Sequence, residues 1–399
     1  MAEAVSTPIK LPTARSTIFD PPDELGRLRE EQPVTPLAYV DGHVGWLVTS
    51  YSAARVVLDD PRFSARQELR HSPIPHPFAE EKPTPAQPGF FIRMDPPEHT
   101  RYRRLLTGQF TVRRMRQLEP RIQRFTDERL DAMEQAGPPV DLVQEFALPI
   151  PSLVICDLLG VPYADRERFQ RDSETVLALN VDKEEIFKAI ASIGGYLHQL
   201  VQTKRAEPAD DMLSGLVQSG ELTDEEVTNI AHLLLVAGYE TSANMLALGT
   251  YALLRHPEQL AALRADPSLI DGAVEELLRY VTITQFGTMR VALEDVELDG
   301  QLVKAGETVL VSLPAANRDP AQFPDPDKLD LSRPPTGHLA LGHGVHLCIG
   351  QELARIEMRI GYRALFDRFP QLRLAAEPED IPMRHDRGIY GVHKLPVAW

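Results

Sequence analysis

Apolar residues along this chain recur mostly at spacings of three and four, the period of a helix with one buried face. Such stretches fall at residues 51–59, 122–136, 140–159, 164–179 and 183–204, with short breaks between them. The longest opens at Thr223 and Glu226, a T-x-x-E capping box, and ends at Arg255, before His256-Pro257. That predicts a helix of about 32 residues, ~48 Å at 1.5 Å per residue. Its two halves are apolar, reading HLLLVA at 232–237 and ANMLALG at 243–249, but Gly238-Tyr239-Glu240-Thr241-Ser242 interrupts them. An acid and hydroxyls inside a buried helix are costly unless satisfied. A hydroxyl bonded back to the i−4 carbonyl is one solution. A proton path at a kink, permitted by Gly238, is the other.

Strand signals are fewer. Residues 33–40 and 43–50 flank Asp41-Gly42, a strong hairpin signal. A later strand starts at Arg290, and Asp299-Gly300 turns a hairpin between Val296 and Val303. The pattern therefore predicts a mainly α protein with small β-sheets. Residues 1–20 read as a loose N-terminal arm, and the proline-rich 71–89 as an irregular loop. Such a loop is either a surface connector or part of a functional site.

Length and composition narrow the class. The 399 residues carry no internal repeat or low-complexity linker, so one large domain, 1–399, is preferred. No apolar run approaches the ~20 residues of a membrane span, and the first thirty residues lack the core of a signal peptide. A net charge of −16 argues against broad nucleic-acid binding. With only Cys156 and Cys348, a disulfide framework is excluded, and the cytoplasm is the natural compartment. Cys156, among Leu153, Val154, Ile155 and Leu158, reads as core.

Cys348 is different. It lies in HLALGHGVHLCIGQELARIE, residues 338–357, where Gly342, Gly344 and Gly350 surround the sulfur and a helix begins at Gln351. Glycines let the backbone bend tightly beside a bulky ligand. A cysteine near a helix N-terminus tends towards the thiolate, the form that binds metal. A buried apolar cysteine is the plainer alternative. Elsewhere, His99 and Arg103 in FIRMDPPEHTRYRRLL share a helix face and together suit a carboxylate. Residues 101–124 hold eight arginines and one acid, a local inversion of charge. Glu276 and Arg279 form an E-x-x-R pair on one helix face.

Taken together, Gly344-x-x-x-Cys348-x-Gly350, Ala237-Gly238-x-Glu240-Thr241, the DPPEHTRYRR segment and the E-x-x-R pair resemble the cytochrome P-450 family, in order and over nearly the whole chain. Leu341 stands where that family usually has Phe, and Tyr239 and Ser242 where His and Thr are usual. The resemblance implies a single-domain fold shaped as a triangular helical prism with a long central helix and a small β-rich region. It implies haem b as cofactor, with Cys348 as axial iron ligand and His99, Arg103, Arg290 and His346 as carboxylate partners. Thr241 and Glu240 would relay protons to bound O2. Arg333 would lock with Glu276 and Arg279, residues 71–89 would roof the substrate pocket, and Thr282–Thr288, Ile389 and Tyr390 would border it. The implied reaction is hydroxylation or epoxidation of a lipophilic substrate, of polyketide, macrolide or terpenoid kind. Electrons would come from NAD(P)H through a ferredoxin reductase and a ferredoxin, because no G-x-G-x-x-G follows a strand in this chain. Oxidative coupling, a peroxide-driven reaction and a haem-based sensor are the alternative readings.

The arginine-rich segment would be the ferredoxin's docking face. Reversing the charges of Arg113, Arg114 and Arg116 is expected to slow reduction by a ferredoxin severalfold at low salt, with the difference shrinking as salt is added. An unchanged stopped-flow reduction rate would remove the docking role.

Overall fold

A computed structural model describes residues 7–79, 81–335 and 337–399. The helices that matter for the site are α1 (Glu98–Thr107), α2 (Glu119–Ala136), α3 (Pro149–Leu159), α4 (Arg166–Leu177), α5 (Lys183–Ala206), α6 (Asp224–Arg255), α7 (Ile270–Val281) and α8 (Gln351–Arg368). The main sheet comprises β1 (Val34–Ala38), β2 (Val44–Val48), β3 (Phe63–Ser64), β4 (Thr288–Ala292) and β5 (Thr308–Val311), in spatial order β1-β2-β5-β4-β3. The fold is thus mainly α with small sheets.

The predicted 32-residue helix is α6, and both arms of its capping box form. It runs through the core, packed against α3, α5 and α8. The helix assignment of α6 runs through Gly238 without interruption. Gly238 also has a packing role. A Cβ there would come within 2.9 Å of Ile155, so the glycine admits α3. Two more glycines set the contact with α8: a Cβ on Gly249 would sit 2.1 Å from the Tyr362 hydroxyl, and one on Gly361 would sit 2.7 Å from Leu246. Tyr362 donates from its hydroxyl to the Met245 carbonyl, which ties α8 to α6 directly.

The Asp41-Gly42 hairpin forms with Val34 opposite Val48. At the second hairpin, Asp299 and Gly300 both have positive φ, as a two-residue turn of this kind requires. The predicted helix at 140–159 begins differently: Val140–Asp141 is a strand and Val143–Ala147 a wide π-turn, before α3 starts at Pro149. Proline fits only at the start of a helix, and so delays it. The arm is also not loose where it is described; residues 1–6 lie outside the described residues. Ile9 exchanges backbone hydrogen bonds with Pro36 and Ala38, and Phe19 packs edge-on against Tyr251, 5.2 Å between ring centres.

The charge network at the end of α7 forms as the E-x-x-R spacing allows. Arg279 donates to both oxygens of Glu276 at 2.7 and 2.8 Å, and to the carbonyls of Asn317 and Pro326. Arg333 reaches the same Glu276 at 3.1 Å. Glu276 and Arg279 are each 2 % exposed, so every donor and acceptor must be met inside the protein.

Glu357 on α8 is 1 % exposed and has no cation beside it; it hydrogen-bonds Ser242 of α6. Burial pushes its carboxyl up to about 8. The folded state thus holds this proton more tightly than the unfolded chain. The corresponding stability is fully present below the ordinary carboxyl range and is lost as pH rises towards 8, by roughly 1.4 kcal/mol per pH unit crossed. Glu357→Gln is expected to abolish this loss. Thermal melting of the two proteins between pH 5 and 8 should diverge, and parallel curves would contradict it.

Candidate active site

The cysteine loop is shaped by its glycines. Gly342 and Gly344 have φ of 79° and 69°. At Gly344 a Cβ would come within 2.5 Å of the Leu58 carbonyl, so no other residue fits. A single turn at Gly344–His346 follows, and the Cys348 N–H donates to the Leu341 carbonyl at 2.9 Å. The sulfur thus hangs beside the first turn of α8, within reach of the Gly350 N–H.

Cys348 lies on the wall of a cavity of about 570 Å3. From α6 the cavity is lined by Ala237, Thr241, Ser242 and Met245, and from the segment after α7 by Ile283, Thr284 and Thr288. Arg290 and His346 also line it, as does Ile389; Tyr390 does not, since its hydroxyl donates to the Ile18 carbonyl. Leu341 lies on the wall as well. Thr241 and Cys348 are 107 residues apart in sequence yet share this one space.

The expected carboxylate partners divide into two groups. Arg290 and His346 face the cavity, while His99 and Arg103 stand behind it. His99 is 2 % exposed, its ring 4.3 Å from that of His346, and neither of its nitrogens has a partner. Burial, then the Arg103 guanidinium, lowers the His99 pKa. His346 is pushed down to about 3 by burial and by Arg290, His99 and Arg103. Arg103 donates to the Leu347 carbonyl and so braces the cysteine loop from outside. Arg290 is lowered to about 10, chiefly by burial.

The sulfur is not a ready thiolate. Burial pushes the Cys348 thiol up, and the Gly350 N–H, Arg103 and Arg355 only oppose it. A metal ion would remove that proton, because a coordinating thiol ionises. Arg355 is itself held by Glu275, whose second oxygen meets His338 at 3.1 Å. These three residues share one side of the cysteine loop.

Thr241 adopts the back-bonded arrangement: its hydroxyl donates to the Ala237 carbonyl at 2.8 Å. It still lines the cavity, so its lone pairs remain open to a donor there. Glu240 points elsewhere. It is 1 % exposed, one oxygen is paired with Arg384, and the other has no partner. Consecutive helical residues diverge by 100°, and at this step the turn carries Glu240 off the cavity wall that Thr241 lines. Asn244 completes the group, donating to the Glu240 carbonyl at 2.8 Å. Burial raises the Glu240 carboxyl and Arg384 opposes it.

No described residue of 71–89 lines the cavity, though its flanks Arg70 and Ile92–Arg93 do. The loop leans outward onto α5, where Phe78 meets Phe187 at 5.4 Å and Glu81 pairs with Lys183. Arg70, Arg93 and Arg384 were invisible as site residues in the sequence. All three sit in irregular segments, and only their charge beside proline-rich or turn-rich stretches marks them.

A haem suits this chamber. It needs a soft ligand on one wall, and Cys348 could serve. It needs donors for its two carboxylates, and Arg290, His346 and His99, whose ring nitrogens have no partner among the described residues, could supply them. No Asp or Glu among the described residues lines the cavity to repel them.

Comparison with known proteins agrees. The sequence model of the family Cytochrome P450 matches residues 38–270 and 265–394. Cytochrome P450 105C1 of a Streptomyces species is 52 % identical over 395 residues, 99 % of each chain. Pentalenic acid synthase of Streptomyces avermitilis is 44 % identical over 400 residues, covering 99 % of this chain and 98 % of that protein. The crystal structure of CYP105P1 in complex with filipin I superposes with a TM-score of 0.93 at 46 % identity, covering 98 % and 99 % of the two chains.

Proposed function

The chain belongs to the cytochrome P450 family, an oxidoreductase of the monooxygenase class, and on that premise we propose that it oxidises a lipophilic natural product with O2 and electrons from a ferredoxin. The observation that carries the reading is the shared cavity of Cys348 and Thr241. One oxygen atom enters the substrate, and the other leaves as water after taking up two protons and two electrons. Haem b, when bound, would supply the iron for O2 chemistry, and a Cys348 thiolate ligand would favour O–O cleavage.

The chain's own residues do the rest. Arg290, His346 and His99 take the haem carboxylates, and Cys348 takes the iron. Thr241 can accept a hydrogen bond from a water in the cavity and steer that water's protons to one spot. Glu240 with Arg384 is the proton store behind it: a buried carboxyl with one free oxygen, one residue along α6. The apolar wall of Met245, Ile283 and Ile389 orients the substrate and excludes bulk water.

The names of the relatives favour a product of secondary metabolism, of polyketide, macrolide or terpenoid kind, since one is a pentalenic acid synthase and another binds filipin I. A ferredoxin would dock at Arg113 and Arg116. Both are exposed, whereas Arg101, Arg104, Arg121 and Arg124 already pair with Glu226, Glu221, Asp157 and Glu128. No helix among the described residues is long and apolar enough to cross a membrane, and we place the reaction in the cytoplasm.

The reduced protein under carbon monoxide is expected to absorb at the thiolate position and Cys348→His at the histidine position. A histidine-type band in the unaltered protein would end the reading. Thr241→Ala should keep its haem but divert electrons to hydrogen peroxide, raising the peroxide formed per NAD(P)H, because the positioned proton relay is lost. Full coupling in that variant would remove Thr241 from the relay.

A further inference from the structure

The cavity carries more positive charge than a haem requires. Four guanidiniums, those of Arg70, Arg93, Arg103 and Arg290, surround it or stand just behind it. Among the described residues, Asp95 is the one carboxylate acting on them; it acts on Arg290 and is itself held by Ser64 and the Ala65 N–H. A ferric haem with its sulfur ligand is neutral apart from its two carboxylates. These and Asp95 leave one guanidinium without an anion.

Arg93 and Arg70 are the pair in question. Arg93 donates to Gln67 Oε1, a neutral acceptor, at 2.8 Å. Arg70 has a buried Nε without a partner. Its guanidinium is pushed down to about 9 by burial, by Arg93 and by Arg290. Arg93 is exposed and Arg70 half-buried, and their like charges repel less once an anion joins them. Both side chains reach the cavity from the flanks of the 71–89 loop, beside Ile92. They are not part of the carboxylate set that the cysteine loop, α1 and β4 supply.

We propose that Arg93, seconded by Arg70, forms an anion subsite at the edge of the cavity, and that the substrate is a lipophilic carboxylic acid whose carboxylate docks there. The inference rests on the haem-chamber reading above, since the haem carboxylates enter its charge balance. A guanidinium fork matches a carboxylate in two parallel hydrogen bonds, and the apolar wall beyond takes the hydrocarbon part.

The test uses the haem-loaded enzyme with octanoic, dodecanoic and hexadecanoic acids and their methyl esters as probes. Binding is read by calorimetry and by the spectral shift on loss of iron-bound water. At least one acid should bind about tenfold tighter than its ester, the step expected for one charge-assisted contact. The preference should shrink with salt and vanish in Arg93→Gln, with Arg70→Gln weakening it. Equal binding of every acid and its ester, or a preference unchanged in the double variant, would overturn the subsite. Loss of haem from Arg93→Gln would also overturn it, by assigning that residue to the cofactor. Failure of the haem reading itself shows separately, as a missing thiolate-type carbon monoxide spectrum in the unaltered protein, while calorimetry still compares acid with ester.

Discussion

Everything in this chamber depends on how closely α6 and α8 approach. One helix brings Thr241 to the wall and the other starts beside Cys348. Their separation is set where Gly249 admits the Tyr362 ring and Gly361 admits Leu246, with the Tyr362 hydroxyl tied to the Met245 carbonyl. Packed interiors do not deform gradually. A methyl group at either glycine would therefore shift the two walls together rather than be absorbed locally. The Glu276–Arg279–Arg333 network adds a second fixed point, pinning the segment that leads towards the cysteine loop to α7.

Electrostatics divides the interior into three zones with different logic. Beside the sulfur, Arg103 and Arg355 are held by a carbonyl and by Glu275, so positive charge is fixed where a thiolate would need it. Around His99, His346 and Arg290 the interior is poor in acid and its histidines are neutral. Behind α6, Glu240 and Arg384 form a closed pair with one carboxylate oxygen left over. Each zone is satisfied, or left wanting, in a way that suits one reactant: metal, carboxylate or proton.

Much of this was legible in the sequence, for physical reasons. The capping box at Thr223 and the apolar period fixed the limits of α6, because a helix that long leaves a repeated signal. Gly342, Gly344 and Gly350 marked the cysteine loop because close backbone approach admits nothing larger. What escaped was long-range pairing between irregular segments. Nothing local tells that Arg384 meets Glu240 from 144 residues away, or that Arg70 and Arg93 share a wall. The packing role of Gly238 escaped for the same cause: it admits Ile155 from another helix. The π-turn at Val143–Ala147 was hidden because Pro149 and Pro151 sit in an otherwise apolar run.

The N-terminal strap carries one more consequence. β1 is the outermost strand of its sheet, and Ile9 occupies its free side, taking the Pro36 carbonyl and giving its own to Ala38. An uncovered border of this kind is a template for pairing with another chain. Ile9 therefore leaves fewer of the β1 backbone groups open to another chain. A segment away from the cavity thus closes the border of the sheet that carries Arg290 on β4.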